Sequence, residues 1–399
     1  MVDQSGWNAI YDRIAKKILD GNIEDVPSDL YFKTAGILMD AVYQGLGATQ
    51  FEYDDQRAVL GAHLQHNIYA FSAAKSFTQL LYFRDAMLDE EGKIRSYASY
   101  RKKIADAGLL FNDRFLNTEF NTAQQSAIMA HKWEVLDTEY LEFSTVGDDR
   151  VRPEHAVLDK FTALKSDPVW KKIYPPLAFN CRCTVIPGKK VNNEKKMTAI
   201  EAAKAINPHI KNTPFDNNVG LSRLVFNDNH PYFKNVDGEV KNLSWQQYGL
   251  RSLDQIKTNK LPEYPKTSLQ EYYDWWEKQK KHTGDDFILR DVLGQDILFP
   301  SHEGKKRKSY DLFKEHILKK QKENRFEYGT EATNIIKDPD EIWFNTLDDN
   351  SRFYIKYYEQ ATLKLVVNEK MEAVTLYDIK EQNTGELNRT RKGVLLFKK

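Results

Sequence analysis

Apolar residues recur at three- and four-residue spacing along most of the first 140 positions. In DLYFKTAGILMDAVYQGLG, residues 29–47, this period predicts an amphipathic helix closed by Gly47 as a C-cap. The same period runs through HLQHNIYAFSAAKSFTQLLYFRDAML, residues 63–88, on Ile68, Phe71, Phe77, Leu80, Leu81 and Tyr82. A third segment, LNTEFNTAQQSAIMAHKWEVLD at 116–137, offers Thr118 or Asn121 as an N-cap. The period then shortens to two in EYLEFSTV, 139–146, predicting a strand that leads into GDDRVRPEH. Pro175-Pro176 and Pro187-Gly188 bracket the NCRC stretch as a loop.

Beyond Lys190 the texture changes. NNEKKMTAIEAAKAI, 192–206, predicts a short helix, and LQEYYDWWEKQKKH, 269–282, a second one carrying Trp275 and Trp276. Residues 207–300 otherwise mix Asn, Pro and aromatics, so 191–284 is expected to be a linker or small intermediate module. SYDLFKEHILKKQKENRF, 309–326, has the pattern of an amphipathic basic helix. Five strand-like runs follow at 341–345, 353–358, 363–368, 373–379 and 393–397, spaced as an antiparallel meander on that helix. The expected fold is α+β. A mainly helical domain with a small β element spans 1–190, and a helix with a sheet of four to five strands spans 285–399.

Composition narrows the function classes. A chain of 399 residues exceeds one ordinary core. Charged residues make up 29%, which predicts a soluble chain, and no apolar run approaches the ~20 residues of a membrane span. Residues 1–20 carry acids and no apolar core, so no signal peptide is expected. Lys+Arg and Asp+Glu balance at 58 each, so nucleic-acid binding would have to come from local clustering. Such clusters exist: residues 305–325 hold nine Lys/Arg against three Asp/Glu, and residues 386–399 five against one.

Two stretches carry candidate chemistry. DDRVRPEH and NCRC together supply Asp148, His155, Cys181 and Cys183, an acceptable donor set for a tetrahedral structural zinc. The C-x-C spacing is shorter than the usual C-x(2–4)-C. A second reading pairs Arg150, Arg152 and Arg182 with Asp148, Asp149 and Glu154 as a clamp between two loops. A third has the thiols simply buried, as free cysteine commonly is. A redox C-x-C pair is weakest, because no thioredoxin-like βαβ unit surrounds it.

The combined stretch TVGDDRVRPEHAVLDKF…DPVWKKIYPPLAFNCRCTVIP, 145–187, resembles the signature of phage Mu F-like head morphogenesis proteins. Asp148, Arg150, Arg152, Pro153, His155, Leu158, Asp159, Trp170, Pro175, Pro176, Leu177, Asn180, Cys181, Arg182 and Cys183 fall on its pattern. The upstream helix resembles the family's in Glu119, Asn121, Thr122, Ala123 and Trp133. Two positions depart: Lys160 stands where the family commonly has glycine, and Asn117 where an arginine is usual. The resemblance, over about residues 50–190, implies a minor capsid protein associated with the portal. Its partners would be portal and capsid proteins. It would lie in the virion, at the capsid interior or portal vertex, and in the host cytoplasm during assembly, with no membrane partner.

Residues 335–397 resemble phage-associated nucleases of the barnase, EndoU, colicin and RelE-like fold. The resemblance rests on Pro339-Asp340-Glu341-Ile342-Trp343, Tyr354-Ile355-Lys356, the AVTLY strand and the closing R-x-x-G-x-L-L. It implies a metal-independent RNase or toxin effector, with RNA as substrate and an immunity protein as partner. Cleavage of RNA without metal needs a base for the 2′-hydroxyl, an acid for the leaving oxygen and cations on the phosphate. His316 and, less so, His302 suit the acid–base role. Arg325, Lys356, Thr375 and Arg391 suit phosphate contact, Thr375 because the resemblance places Ser or Thr there. Tyr354, Tyr357 and Tyr358 could stack bases. Two alternatives remain: a structural head protein whose C-terminal domain is inactive or binds a partner, and a polymorphic toxin that uses the head-like domain for delivery.

Overall fold

A computed structural model of the chain describes residues 6–22, 26–47, 56–189, 197–234, 236–241, 250, 253–257, 260–280, 286–301, 313–319, 325–345, 350–379, 386–387, 390–391 and 393–399. Contacts divide the chain into two units: residues 1–51 with 63–242, and residues 52–62 with 243–399. The stretch 191–284, expected as a linker or small intermediate module, contains the division at 242/243.

The first unit is built on α1 (Trp7–Leu19), α2 (Ser28–Leu46), α3 (Gln56–Asp85) from residue 63 onward, α4 (Tyr97–Leu109) and α5 (Leu116–Val135). Helix α2 ends as its sequence predicts, with Gly47 in the left-handed region at φ 69°. It packs along α5. The approach is so close at Gly45 that a Cβ there would lie 2.4 Å from the Gln124 carbonyl oxygen. The expected caps of α5 do not form. Helix α4 runs into α5 through a π-helical turn, Leu110–Phe115, so α5 has no free N-terminus to cap. Thr118 instead donates to the Arg114 carbonyl (3.2 Å), and Asn121 to the side chain of Asn180 (3.1 Å). The buried Lys75 of α3 donates to the Phe111 carbonyl inside that turn (2.8 Å) and forms an ion pair with the buried Glu119 of α5. Burial pulls the Lys75 ammonium down and pushes the Glu119 carboxyl up, each opposed by its partner.

A small sheet in the order β2-β1-β3 follows, from β1 (Tyr140–Ser144), β2 (Thr162–Leu164) and β3 (Thr184–Pro187). The short helices α6 (Pro153–Ala156) and α7 (Trp170–Ile173) lie in its connections. Sequence period revealed only β1, because three- and four-residue strands are too short to show an alternation. Lys160, at the usual glycine position, keeps the left-handed conformation at φ 63°. Its amide and the carbonyl of its neighbour Phe161 both bond to Phe143, each at 2.8 Å.

Helices α8 (Ala199–Ile210), α9 (Val219–Ser222), α10 (Pro231–Lys234) and α11 (Gly238–Lys241) complete the unit. Helix α8 starts on a reciprocal capping box of Thr198 and Glu201. The Asn67 side chain holds both backbone groups of Phe226, at 2.9 and 2.8 Å. His230 stands among Phe71, Phe179, Phe226 and Tyr232, where burial drops it to about 3.

In the second unit α12 (Leu253–Lys257) precedes α13 (Leu269–Gln279), whose N-terminus is another capping box, Ser268 with Glu271. The hairpin β4 (Phe287–Arg290) and β5 (Asp296–Phe299), α14 (Phe313–Lys319), a 3-10 helix (Arg325–Glu331) and α15 (Ala332–Lys337) follow. The described part of the expected basic helix 309–326 is α14; residues 309–312 and 320–324 lie outside the described residues. The sheet contains β6 (Glu341–Phe344), β7 (Arg352–Tyr357), β8 (Thr362–Val367), β9 (Ala373–Asp378) and β10 (Val394–Lys398), in the order β10-β6-β7-β8-β9. All four neighbouring pairs are antiparallel. Four strands thus meander as predicted, whereas the fifth crosses back to pair with β6.

One face of this sheet is the core. Ile342, Tyr354, Leu363, Leu365, Leu376 and Leu396 pack with Tyr272 and Trp276 of α13, Phe287 and Phe299 of the hairpin, and Phe313 and Ile317 of α14. Trp276 is fully buried, 4.7 Å from the Phe287 ring centre, so the DWW segment contributes to this core. The hairpin is tied in by Tyr354, whose hydroxyl donates to Asp291 (2.6 Å).

Two outcomes follow for the first unit. Lys75→Met leaves Glu119 buried without its partner and is expected to cost about 3–5 kcal/mol in urea unfolding. The double variant with Glu119→Leu should recover most of that loss. Lys160→Gly removes a Cβ from a left-handed residue, worth about 1–2 kcal/mol. Part is offset by the freer unfolded chain, so a net gain of about 0.5–1 kcal/mol should appear in the same measurement.

Candidate functional site

Parity along β7, β8 and β9 decides which candidate residues can meet, because directly opposed residues of an antiparallel pair share a face. The pairs Glu341–Ile355, Ile355–Lys364 and Lys364–Tyr377 put these residues on one face. The pairs Phe353–Val366 and Val366–Thr375 join them there. The other face carries the core leucines. Lys356 is opposite Leu363 and therefore belongs to the core side, where its ammonium bonds the Asp338 carbonyl (2.5 Å) and carboxylate (2.9 Å). The structure does not bring Lys356 to the other candidates.

His316, Arg325 and Thr375 do converge. Arg325 Nη1 donates to Thr375 Oγ1 at 2.8 Å and stands 3.4 Å from His316 Nε2. A guanidinium has no acceptor, so in that contact Nε2 is the acceptor and the imidazole proton sits on Nδ1. The guanidinium also lies over the Tyr377 ring, 5.2 Å from its centre. All three residues are half-buried. Three separate elements supply them: α14, the 3-10 helix after it and the edge strand β9. Tyr377 donates to Glu386 (2.7 Å), and burial, then Glu386, pushes its phenol above the ordinary range.

Lys364 completes this face and was not among the sequence candidates. Its ammonium donates to Thr390 (2.9 Å) and lies 3.9 Å from the Phe353 ring centre. Its signal was present in TLKLVV, where a lysine interrupts a strand that otherwise reads as fully buried.

Arg391 is on the same side but is held by protein groups. Its Nε bonds Glu341 at 2.9 Å, Nη2 bonds the second carboxylate oxygen, and Nη2 also reaches the Tyr357 hydroxyl (2.6 Å). It is fully buried. Glu341 accepts further bonds from Trp343 (2.8 Å) and Tyr357 (2.9 Å). Arg391 is therefore a cross-tie of the sheet. Tyr354 and Tyr358 are buried, with Tyr358 bonded to Glu331, so neither offers a ring for stacking. His302 lies outside the described residues.

The two-loop motif of the first unit is likewise assembled. Pro153 starts α6, which carries His155, and Asn180 at φ 56° turns the second loop into Cys181. His155 Nδ1 lies 3.8 Å from Cys181 Sγ and 3.7 Å from Cys183 Sγ. All three side chains are buried, and both thiols are free. The thiols share one ionisation: a hydrogen bond from Cys183 draws Cys181 down, and Cys181 in turn pushes Cys183 up.

Outside the cluster, Arg182 makes a two-pronged bond to Asp148 at 2.7 and 2.6 Å, joined by Arg150 at 3.2 Å. That hydrogen bond from Arg182 holds the Asp148 carboxyl well below the usual range. Arg152 donates to the Phe179 carbonyl (2.9 Å), a second bridge between the loops. Asp148 is thus set apart from the His155 and cysteine group, and Asn180 serves in the turn and as the acceptor of Asn121.

Comparison with known proteins follows this division. Residues 94–186 match the family model "Phage Mu protein F like protein", and residues 277–398 match "phage-Barnase-EndoU-ColicinE5/D-RelE like nuclease2". The Mu-like prophage FluMu F protein of Haemophilus influenzae is 35% identical over 71 residues, covering 18% of this chain and 17% of that protein. The putative capsid assembly protein F of Escherichia phage Mu is 35% identical over 81 residues, covering 19% and 18%. The matched segment is thus less than a fifth of either curated relative. No solved structure matches. The chain therefore carries a phage Mu protein F-like segment at residues 94–186 and a phage nuclease-like domain at residues 277–398.

Proposed function

We propose that the second unit is a metal-independent RNA endonuclease acting on the face built by His316, Arg325, Thr375 and Lys364, and that the first unit places it in a phage head, at the portal. The observation that carries the reading is the convergence of an imidazole, a guanidinium and a hydroxyl from three separate elements onto one edge of the sheet. Each group has a role in attack of a ribose 2′-oxygen on the adjacent phosphorus. His316 takes the 2′-proton through Nε2 once substrate displaces Arg325 from it, and as the 2′-oxygen bonds phosphorus the P–O5′ bond breaks, the leaving oxygen taking its proton from water. Arg325 and Lys364 neutralise the negative charge that builds on the phosphoryl oxygens, and Thr375 orients the guanidinium. Phe353 and Tyr377, beside the two cations, offer ring faces to bases. The name of the phage Mu relative, a putative capsid assembly protein, supports a head location.

Two sets of variants of the full chain, and metal removal, test the nuclease. His316→Ala, Arg325→Gln and Thr375→Val are each expected to slow cleavage of an RNA oligonucleotide by about 100-fold or more with unchanged circular dichroism. Lys356→Met, altered on the opposite face, should stay within about threefold of wild type if it folds. Added EDTA should leave the rate unchanged. Absence of cleavage by the wild-type chain, or equal rates for the first three variants, would refute the assignment. For the head location, co-expression with a portal protein of the same phage should yield a complex through the first unit.

A further inference from the structure

We infer that His155, Cys181 and Cys183 bind one zinc ion, with His155 ligating through Nδ1. With Zn–S at about 2.3 Å and Zn–N at about 2.0–2.1 Å in tetrahedral geometry, a sulfur and a nitrogen on one zinc lie about 3.6 Å apart. The two observed separations, 3.8 and 3.7 Å, are those of two edges of such a tetrahedron. All three donor atoms lie within 4.8 Å of one another.

Hydrogen bonding alone accounts poorly for this arrangement. A single ring nitrogen carries at most one proton or one lone pair, and so serves one thiol well. Here both sulfurs approach the same Nδ1 at nearly equal distance. A cation at the centre of the three gives every one of these approaches a cause. Two thiolates and an imidazole are soft and borderline donors, the set that selects zinc over magnesium or calcium.

The loops that carry these donors are held from outside by protein groups. Arg182, between the two cysteines, is fixed on Asp148, while Arg152, three residues before His155, is fixed on Phe179. The donors are thereby positioned before an ion arrives. Among the described residues, no fourth His, Cys, Asp or Glu ligand atom joins the group, so the remaining position is taken by a water or hydroxide. Asp148, a ligand candidate on sequence grounds, is excluded by its two-pronged bond to Arg182. The ion clips the β1–β2 connection to the start of β3 and has no part in RNA cleavage.

The test is metal analysis of the untagged full chain, expressed with zinc supplementation and desalted. About one zinc per chain is expected, as two thiolates and an imidazole held in place bind the ion tightly. Less than about 0.2 per chain, with both thiols open to a thiol reagent, would overturn the inference. Cobalt exchanged into the wild-type chain should give intense tetrahedral visible bands and a thiolate charge-transfer band. A pale octahedral spectrum would overturn it without any need for a folded variant. Cys183→Ser should lose zinc, whereas Asp148→Asn should keep it; loss from a folded Asp148→Asn chain would overturn the three-donor assignment.

Discussion

The second unit depends on a buried ion pair, Arg391 with Glu341. The guanidinium is fully enclosed and engages both carboxylate oxygens, while the Tyr357 hydroxyl bonds each partner. It links the segment before β10 to β6 and β7, strands that are 34 to 50 residues away in sequence. Removing one partner would strand a charge in the interior at a cost of about 3–5 kcal/mol. The same segment brings Thr390 to Lys364, so the tie that closes the sheet also fixes the lysine of the proposed catalytic face.

Much of this architecture was legible in the chain. The five C-terminal strands show because their apolar runs are separated by clear turn residues. Their pairing was only partly legible: β10 returns to β6 through Glu341 and Arg391, a long-range contact that no local period announces. The hairpin β4–β5 was missed because two four-residue strands around Gly294 look like loop. At the candidate site the residue types were readable, whereas their availability was not. Lys356 and Lys364 are both buried lysines in apolar strands, and only the register puts them on opposite faces of the sheet. Arg391 looks like a free cation in a basic tail until Glu341 is found against it.

The first unit shows the same limit. The chemistry of DDRVRPEH and NCRC was apparent as a set, but sequence could not say which of the donors turn inward. Arg182 decides it by holding Asp148 outside, leaving His155 with the two thiols. Lys160 likewise keeps the left-handed turn of its position without the glycine that would make it unstrained. Side-chain caps predicted for α5 failed for a related reason: the π-helical turn continues the chain into it, and the Phe111 carbonyl in that turn is met by the buried Lys75.

The chemical nature of the RNA ends is the most direct measure of the proposed nuclease. Attack by the 2′-oxygen, assisted by His316 and Arg325, must leave a 2′,3′-cyclic phosphate and a 5′-hydroxyl, and a strand with 2′-deoxyribose at the cleavage site must remain intact. Mass spectrometry of products from the full chain in the presence of EDTA is expected to show these ends. Products with 3′-hydroxyl and 5′-phosphate ends, or cleavage of the deoxy-substituted strand, would contradict it.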